Sequence, residues 1–549
     1  MSSTYTIGHY LLDRLAELGL TELFGVPGDY NLHFLDTVIS HDKIRWVGSA
    51  NELNAGYSAD GYARVRGIGA LLTTFGVGEL SAINAIAGAY TENVPVVHVV
   101  GAPSKEIQAA GRKVHHSLGD GDFEHFIRMA DEVCCATSNL NAPTATWEID
   151  RVLRSVMYAK QPGMIMLAAD VAKTPCQPPS SALELITETT TDAAAQAFED
   201  ALRRFVPGKK ATILADLLVH RLGATDELET LLAENRLPVG TLSWGKSLVN
   251  ESSSQFIGIY SGSSSSPEVR AAVEDAEMLL SLGVEFTDNT TAGFSMQIDP
   301  ARTVDLKAHV AKVGGETFTP LSLQRSMEIL TKVLVENHTE GTAVEGEVQA
   351  SATPDTSDAP LTQDNLWAQV TGALSSENIV VADQGTSYFG MSTHRLPAGA
   401  FFIGQPMWGS IGYTLPAMFG AGMADRSKRP ILLIGDGAAQ LTVQELGQVI
   451  REGLPAVIIL VNNEGYTVER VIHGPEEQYN EIPTWRWELA LPFFGAREED
   501  SLVLRATTGR ELAEALKVTA DNPEKLVLLE VVTSYDDAPE ELRKAVEGL

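Results

Sequence analysis

The sequence predicts an α/β protein of three doubly wound parallel-sheet domains, on three observations. Short apolar runs alternate with helix-length segments through the first 180 residues, again from 190 and again beyond 360, which is the pattern of strand–helix–strand units on a parallel sheet. Turn-rich and polar text separates these blocks, TPCQPPSSA at 174–182 and NHTEGTAVEGEVQASATPDTSDAP at 337–360. The length, 549 residues, suits three to four domains of roughly 150 residues each. The expected division is an N-terminal domain at 1–180, a middle α/β domain at 190–336, a linker at 337–360 and a C-terminal domain at 361–549.

In chain order, Ile7, Leu11, Leu12, Leu15 and Leu18 mark the apolar stripe of a first helix. ELFGV, IRWVG, ALLTTFG and PVVHVVG then read as strands, with helices at 52–66 and 79–91 between them. Ligands of such a unit sit beyond the carboxyl ends of its strands. The middle block offers ATILAD, MLLSLG and RTVDL as strands, with the serine runs Ser252–Ser254 and Ser263–Ser266 as loops. It carries no chemical motif, and its default role is structural or interfacial. Residues 337–360 hold too few large apolar side chains to build a core, so they read as an exposed linker. NIVVAD, ILLIGDG and AVIILVNN are the strands of the third block, and 537–549 forms a terminal helix. No short-period repeat is visible.

Composition narrows the function. Apolar residues make up 44% and charged residues 20%, as in ordinary globular chains. Forty basic against 72 acidic side chains give a formal charge of −32, which repels phosphate backbones and anionic membranes. Three cysteines, Cys134, Cys135 and Cys176, make no disulfide framework and fit a reducing cytoplasm. The N-terminal MSSTYTIGHYLLDRL lacks the basic flank and apolar core of a signal peptide. No apolar run approaches the ~18 residues of a membrane span. The expectation is a cytoplasmic protein acting on a small molecule, with no nucleic-acid or membrane partner.

Chemistry concentrates between Arg429 and Ile472. One buried strand runs into Gly435-Asp436-Gly437, where a helix begins, and the next ends in Asn462-Asn463 with Gly465 just beyond. Asp436 and Asn463 are 27 residues apart, about one strand–helix–strand crossover, so both fall at one edge of the sheet. A carboxylate, an amide oxygen and a backbone carbonyl suit Mg²⁺, a hard cation that bridges to phosphates. The helix start would offer free N–H groups to the same anion. Taken alone, GDG and NN are equally well tight turns after strands. Their paired spacing resembles the cofactor signature of thiamine-diphosphate enzymes. By that resemblance Asp436, Asn463 and the Gly465 carbonyl hold Mg²⁺ on the cofactor diphosphate, with Gly437 and Ala438 beside it. Ala438 stands where the family commonly carries a hydroxyl residue.

Such an enzyme needs a carboxylate to drive the aminopyrimidine ring to the tautomer that deprotonates the thiazolium. Glu52, in GSANELNAGYSADGYAR, matches that glutamate. Its plain alternative is a helix N-terminal acid capped by Asn51 or Ser49. Asp29 in GVPGDYNL, the pair His115-His116 in GRKVHHSLGDGDF and Glu469 in NEGYTVERVIHG each have an equally plain reading as a cap, a solvated loop and a helix-start acid. Together they resemble the proton-handling set of the 2-oxo-acid decarboxylases, the pyruvate, indolepyruvate, phenylpyruvate and branched-chain enzymes. The likeness runs through DQGTSYFG, WGSIGYTLPA and HGPEEQYNEIPTW and so covers essentially the whole chain.

The resemblance implies non-oxidative conversion of a 2-oxo acid to an aldehyde and carbon dioxide through a thiamine ylid and enamine. It implies the fold of the thiamine-diphosphate decarboxylases, and a homodimer in which the N-terminal block of one subunit faces the C-terminal block of the other, paired again into a homotetramer. Gly409 and Ile411 of WGSIG and Gln384, Gly385 and Thr386 of DQGTS are then cofactor contacts, with Ile411 beneath the ring system. Val468, Gln384, Tyr388, Phe389 and Ala545 would line a roomy, mainly apolar substrate pocket suited to branched or aromatic 2-oxo acids. The rival reading is a thiamine-dependent carboligase such as acetohydroxyacid synthase, or a flavin-bearing oxidase. Residues 190–335 carry no dinucleotide fingerprint, and no cysteine for a thiol switch.

Overall fold

The structure, a computed structural model, describes residues 4–186, 190–344 and 353–547. The first sheet comprises β1 (Glu22–Gly25), β2 (Arg45–Gly48), β3 (Gly69–Thr74), β4 (Val96–Ala102), β5 (Ala136–Asn139) and β6 (Gly163–Ala168). Its order is β2-β1-β3-β4-β6-β5, all parallel. The middle sheet has β7 (Ala211–Ala215), β8 (Val239–Thr241), β9 (Phe256–Ile259), β10 (Met278–Leu282), β11 (Thr303–Leu306), β12 (Ala311–Val313) and β13 (Glu316–Phe318), in the order β13-β12-β11-β10-β7-β8-β9. Only its β11-β12-β13 edge is antiparallel. The third sheet has β14 (Asn378–Ala382), β15 (Phe401–Ile403), β16 (Arg429–Gly435), β17 (Val457–Asn462), β18 (Ser501–Ala506) and β19 (Leu526–Val532), ordered β15-β14-β16-β17-β19-β18 and wholly parallel.

The first and third sheets therefore share one strand order. The central strands β3, β4 and β6 are buried at every position, as expected where helices cover both faces of a parallel sheet. Of the expected linker, 345–352 lie outside the described residues; on either side, Gly341 bridges Ala211 and Pro360 bridges Thr508.

Matching helices follow the second strand of each outer sheet, Glu52–Arg66 after β2 and Thr414–Ala424 after β15. Asn51 caps the first, its Oδ1 accepting from Asn54 N at 2.8 Å. Both are buried on nearly all sides, the mark of a helix with no solvent face. They cross each other, and two glycines permit the approach: a Cβ at Gly61 would lie 2.1 Å from the Ala417 carbonyl oxygen, and one at Gly420 1.9 Å from that of Ser58.

The middle domain is joined to the other two by buried polar groups. Glu92, fully buried, accepts from Trp244 Nε1 at 2.7 Å and from Met407 N at 3.0 Å, so one carboxylate touches all three domains. Lys246 donates to Glu251 at 2.8 Å and to the His394 carbonyl at 2.6 Å, and Glu251 also accepts from Leu396 N at 2.8 Å.

Candidate functional site

The parallel register of β14, β16 and β17 sets Ala382 beside Leu433 and Gly435 beside Val461, so the segments that follow these strands emerge at one edge. A cavity of about 340 Å³ opens there. Its wall includes Gln384, Gly385, Thr386 and Phe389 after β14, Gly409 and Ile411 from the loop before Thr414–Ala424, and Asp436, Gly437 and Ala438 after β16. Asn463, Gly465, Val468 and Glu469 follow β17, and Ala545 comes from the C-terminal helix Glu540–Glu547.

At its floor the Asn463 amide lies with one end 3.1 Å from both Asp436 Oδ1 and the Gly465 carbonyl oxygen and its other end 2.9 Å from Thr467 Oγ1; with Oδ1 turned to Asp436, three oxygens converge there. Two ligands at right angles, each about 2.1 Å from one Mg²⁺, are about 3 Å apart, so the spacing fits the edge of a magnesium octahedron. Asp436 is 3% exposed, and burial pushes its carboxyl up to about 6 despite nearby backbone N–H groups and Arg470. A buried carboxylate facing other acceptors is what a divalent cation relieves.

The wall is stiffened from behind. Asp383, fully buried and pushed up to about 7 by desolvation, accepts from Gly412 N at 3.1 Å and from Thr414 Oγ1 at 2.5 Å. It thereby ties the Gly409–Gly412 loop, and Ile411 within it, to the end of β14. Gln384 Oε1 is buried without a hydrogen-bond partner, a polar atom left available to a bound molecule. Glu469 lies in the first turn of the helix Thr467–His473, exposed at the cavity rim.

A second cluster forms at the carboxyl edge of the first sheet. Asp29 Oδ2 lies 2.7 Å from His115 Nε2, and Asp29 Oδ1 4.0 Å from His116 Nε2. Tyr30 stacks on the His115 ring with centroids 4.9 Å apart. Gly76, at φ +66°, lets the His116 loop settle on the sheet, for a Cβ there would lie 1.9 Å from the His116 carbonyl oxygen. Glu52 opens the helix Glu52–Arg66, half-buried, its Oε1 beside Gly78. None of Asp29, Glu52, His115 and His116 lines the 340 Å³ cavity, whose described wall contains no residue before Asp288.

One expectation needs correction. Tyr388 is not on the wall of this cavity: on the helix Thr386–Ser392 its ring meets those of Phe389 and Phe402 and borders a smaller neighbouring pocket. The middle domain, read from sequence as structural or interfacial, also supplies part of the cavity wall through Asp288, Asn289, Ala292 and Gly293, and Asn289 Nδ2 donates to the Pro406 carbonyl at 2.8 Å. Their signal was available: DNTTAG follows the strand MLLSL, beyond a carboxyl end where ligands of an α/β sheet gather. Asp383, Tyr466 and Leu542 also line the wall without having been singled out.

Comparison with known proteins agrees with this layout. Residues 5–125 match the N-terminal TPP-binding domain of thiamine pyrophosphate enzymes, 198–330 the central domain and 383–531 the C-terminal TPP-binding domain. An alpha-keto-acid decarboxylase of Mycobacterium leprae is 53% identical over 544 residues, 98% of this chain and 95% of that protein. One of Mycobacterium tuberculosis is 52% identical over 546 residues, 99% and 97% of the two chains. With all three domains matched and more than half of the residues shared along nearly its whole length, the chain belongs to the thiamine-pyrophosphate-dependent 2-oxo-acid decarboxylases.

Proposed function

We propose that this protein converts a branched-chain or aromatic 2-oxo acid to the corresponding aldehyde and carbon dioxide, using thiamine diphosphate anchored through Mg²⁺. The observation that carries the reading is the oxygen trio of Asp436, Asn463 and Gly465 at the floor of a cavity whose rim bears Glu469. Asp436, Asn463 and the Gly465 carbonyl would hold the metal, and Gly437 and Ala438 would lie along the diphosphate. Bound there, thiamine diphosphate supplies the electron sink for the carbon that loses its carboxylate.

This chain's own work is positioning and proton transfer. Glu469 would stand beside the departing carboxylate, where its charge favours a neutral product. The carbon that loses carbon dioxide must gain one proton, and Asp29, His115 and His116 would deliver it. Glu52 would hold the pyrimidine, with Gln384, Gly385, Thr386, Gly409 and Ile411 around it. Because Glu52 and the histidine cluster stand apart from this cavity, a second copy of the chain would bring its own N-terminal edge to complete each site. Exposed Val77, Leu80, Met407, Trp408 and Leu441 would be covered in that homodimer, and two dimers would pair into a tetramer. The unpaired thiols Cys134, Cys135 and Cys176 suit the cytoplasm.

Val468, Phe389 and Ala545 present small or apolar surface to the cavity, leaving room beyond the methyl group of pyruvate. The test is aldehyde release from pyruvate, 2-oxoisovalerate, 4-methyl-2-oxovalerate, phenylpyruvate and indolepyruvate, with thiamine diphosphate and Mg²⁺ added or omitted. Aldehyde appearing only with both, and faster from the larger acids, is expected. Strict pyruvate specificity would refute the pocket assignment, and a ligated hydroxyketo acid as product would give the site to a carboligase.

A further inference from the structure

The Asn463 amide can present either end to Asp436, and only one end suits a cation. We propose that Thr467 is the positioning residue that selects the oxygen end; this rests on the metal reading above. Thr467 opens the helix Thr467–His473 and is 2% exposed. Its hydroxyl has a single proton to give, and it donates to the Tyr535 carbonyl at 3.0 Å. Toward Asn463 the hydroxyl then only accepts, and Nδ2 fills that role at 2.9 Å. With Nδ2 held there, Oδ1 is turned to Asp436 Oδ1 and the Gly465 carbonyl, completing the oxygen trio.

Turned the other way, Nδ2 would donate to Asp436 Oδ1 and to the Gly465 carbonyl at 3.1 Å each, and the Thr467 hydroxyl would donate to Oδ1 at 2.9 Å. Two N–H groups would then point at the locus a cation needs. Thr467 would also have withdrawn its proton from the Tyr535 carbonyl, leaving Arg470 Nη1, at 3.2 Å, as that oxygen's remaining donor. The direction of one hydroxyl proton therefore separates a metal-accepting floor from a self-satisfied one. Arg470 steadies the same loop by donating to the Asn463 carbonyl at 3.1 Å and the Glu464 carbonyl at 2.7 Å. Tyr535 leads into the helix Glu540–Glu547, whose Leu542, Ala545 and Val546 line the cavity. The cation locus and the C-terminal cover thus share one hydrogen-bonded hydroxyl.

The test is direct binding of Mn²⁺ in the presence of thiamine diphosphate, read from the loss of the free-Mn²⁺ electron paramagnetic resonance signal, with no turnover involved. Wild type and Thr467→Ser should bind alike, within about twofold. Thr467→Val, with a methyl group in place of the hydroxyl, should bind about 10–100-fold more weakly, with an unchanged melting curve in the absence of metal. Thr467→Ala serves if the valine variant does not fold. The decisive comparison uses Asn463→Asp, whose two oxygens have no wrong end: adding Thr467→Val to it should change Mn²⁺ affinity by less than about threefold. Equal affinity of wild type and Thr467→Val, or an undiminished valine effect in the aspartate background, would overturn the proposal. Failure of the wild type to bind Mn²⁺ at all would instead overturn the metal reading on which it stands.

Discussion

Replacing Asp216 by asparagine should stabilise the protein at alkaline pH and leave it unchanged in acid. Asp216 follows β7 at the carboxyl edge of the middle sheet, is fully buried, and has no hydrogen-bond partner on either carboxylate oxygen. Burial pushes its carboxyl up to about 8, and the nearby Leu217 and Glu285 N–H groups and Lys307 offset only part of that. In the unfolded chain the same carboxyl ionises near pH 4. Between about pH 4 and pH 8 the unfolded state therefore sheds a proton that the folded state keeps. Asp216's contribution is fully present below the lower value and is lost progressively as pH rises through that window. A shift of about four units, at about 1.4 kcal/mol each, sets a ceiling of about 5 kcal/mol on the loss. Asparagine keeps the shape and does not titrate. The assay is urea unfolding of both proteins at pH 5, 6, 7 and 8, taking the difference between the two profiles so that other titrating groups cancel. A difference growing from about 1.5 kcal/mol at pH 5 towards the ceiling of about 5 kcal/mol at pH 8 is expected. Parallel profiles, or a variant less stable at pH 8, would refute the reasoning.

Removing Lys246 strands the Glu251 carboxylate in the interior, so Lys246→Met should cost about 3–5 kcal/mol in denaturant unfolding. Adding Glu251→Gln, which still accepts from Leu396 N, should restore most of that, and no restoration would mean the pair acts by shape alone. Gly61→Val drives a side chain into the Ala417 carbonyl; we expect a loss of at least about 1–3 kcal/mol, visible as a lowered melting temperature, and an unchanged melt would show that the helices can part. Thiamine diphosphate with Mg²⁺ at 100 times its dissociation constant should stabilise the protein by about 2.7 kcal/mol. Chelation, or Asp436→Asn, should abolish that gain, and a gain surviving both would place the metal elsewhere.

The fold was legible where apolar runs were long and β-branched. PVVHVVG, ILLIGDG and AVIILVNN became β4, β16 and β17, while the three-residue β15 and the half-exposed edge strand β18 leave little periodicity to detect. GMIMLA forms the fully buried β6 with methionines where β-branched residues would have signalled a strand. The convergence of Asp436 and Asn463 was legible because both side chains follow strand ends one crossover apart. Tyr388 misled because membership of a motif does not fix the direction of a side chain: on a short helix its neighbour Phe389 took the cavity face. The loop at 288–293 carried only the general signal of a segment beyond a strand end; which cavity it walls depends on the packing of one domain against another, which no local pattern encodes.

At Gly61 and Gly420 backbone rests on backbone with no side chain between, so the crossed helices have no compressible layer to absorb sliding or tilting. The two outer domains of one chain are in effect a single mechanical part. Motion that admits substrate or releases aldehyde must then come from the pieces bearing on that part by side chains and loops, namely the middle domain at 288–293 and the C-terminal helix. Amide exchange should show the crossed helices opening last and together, with the cavity's two movable walls exchanging ahead of them.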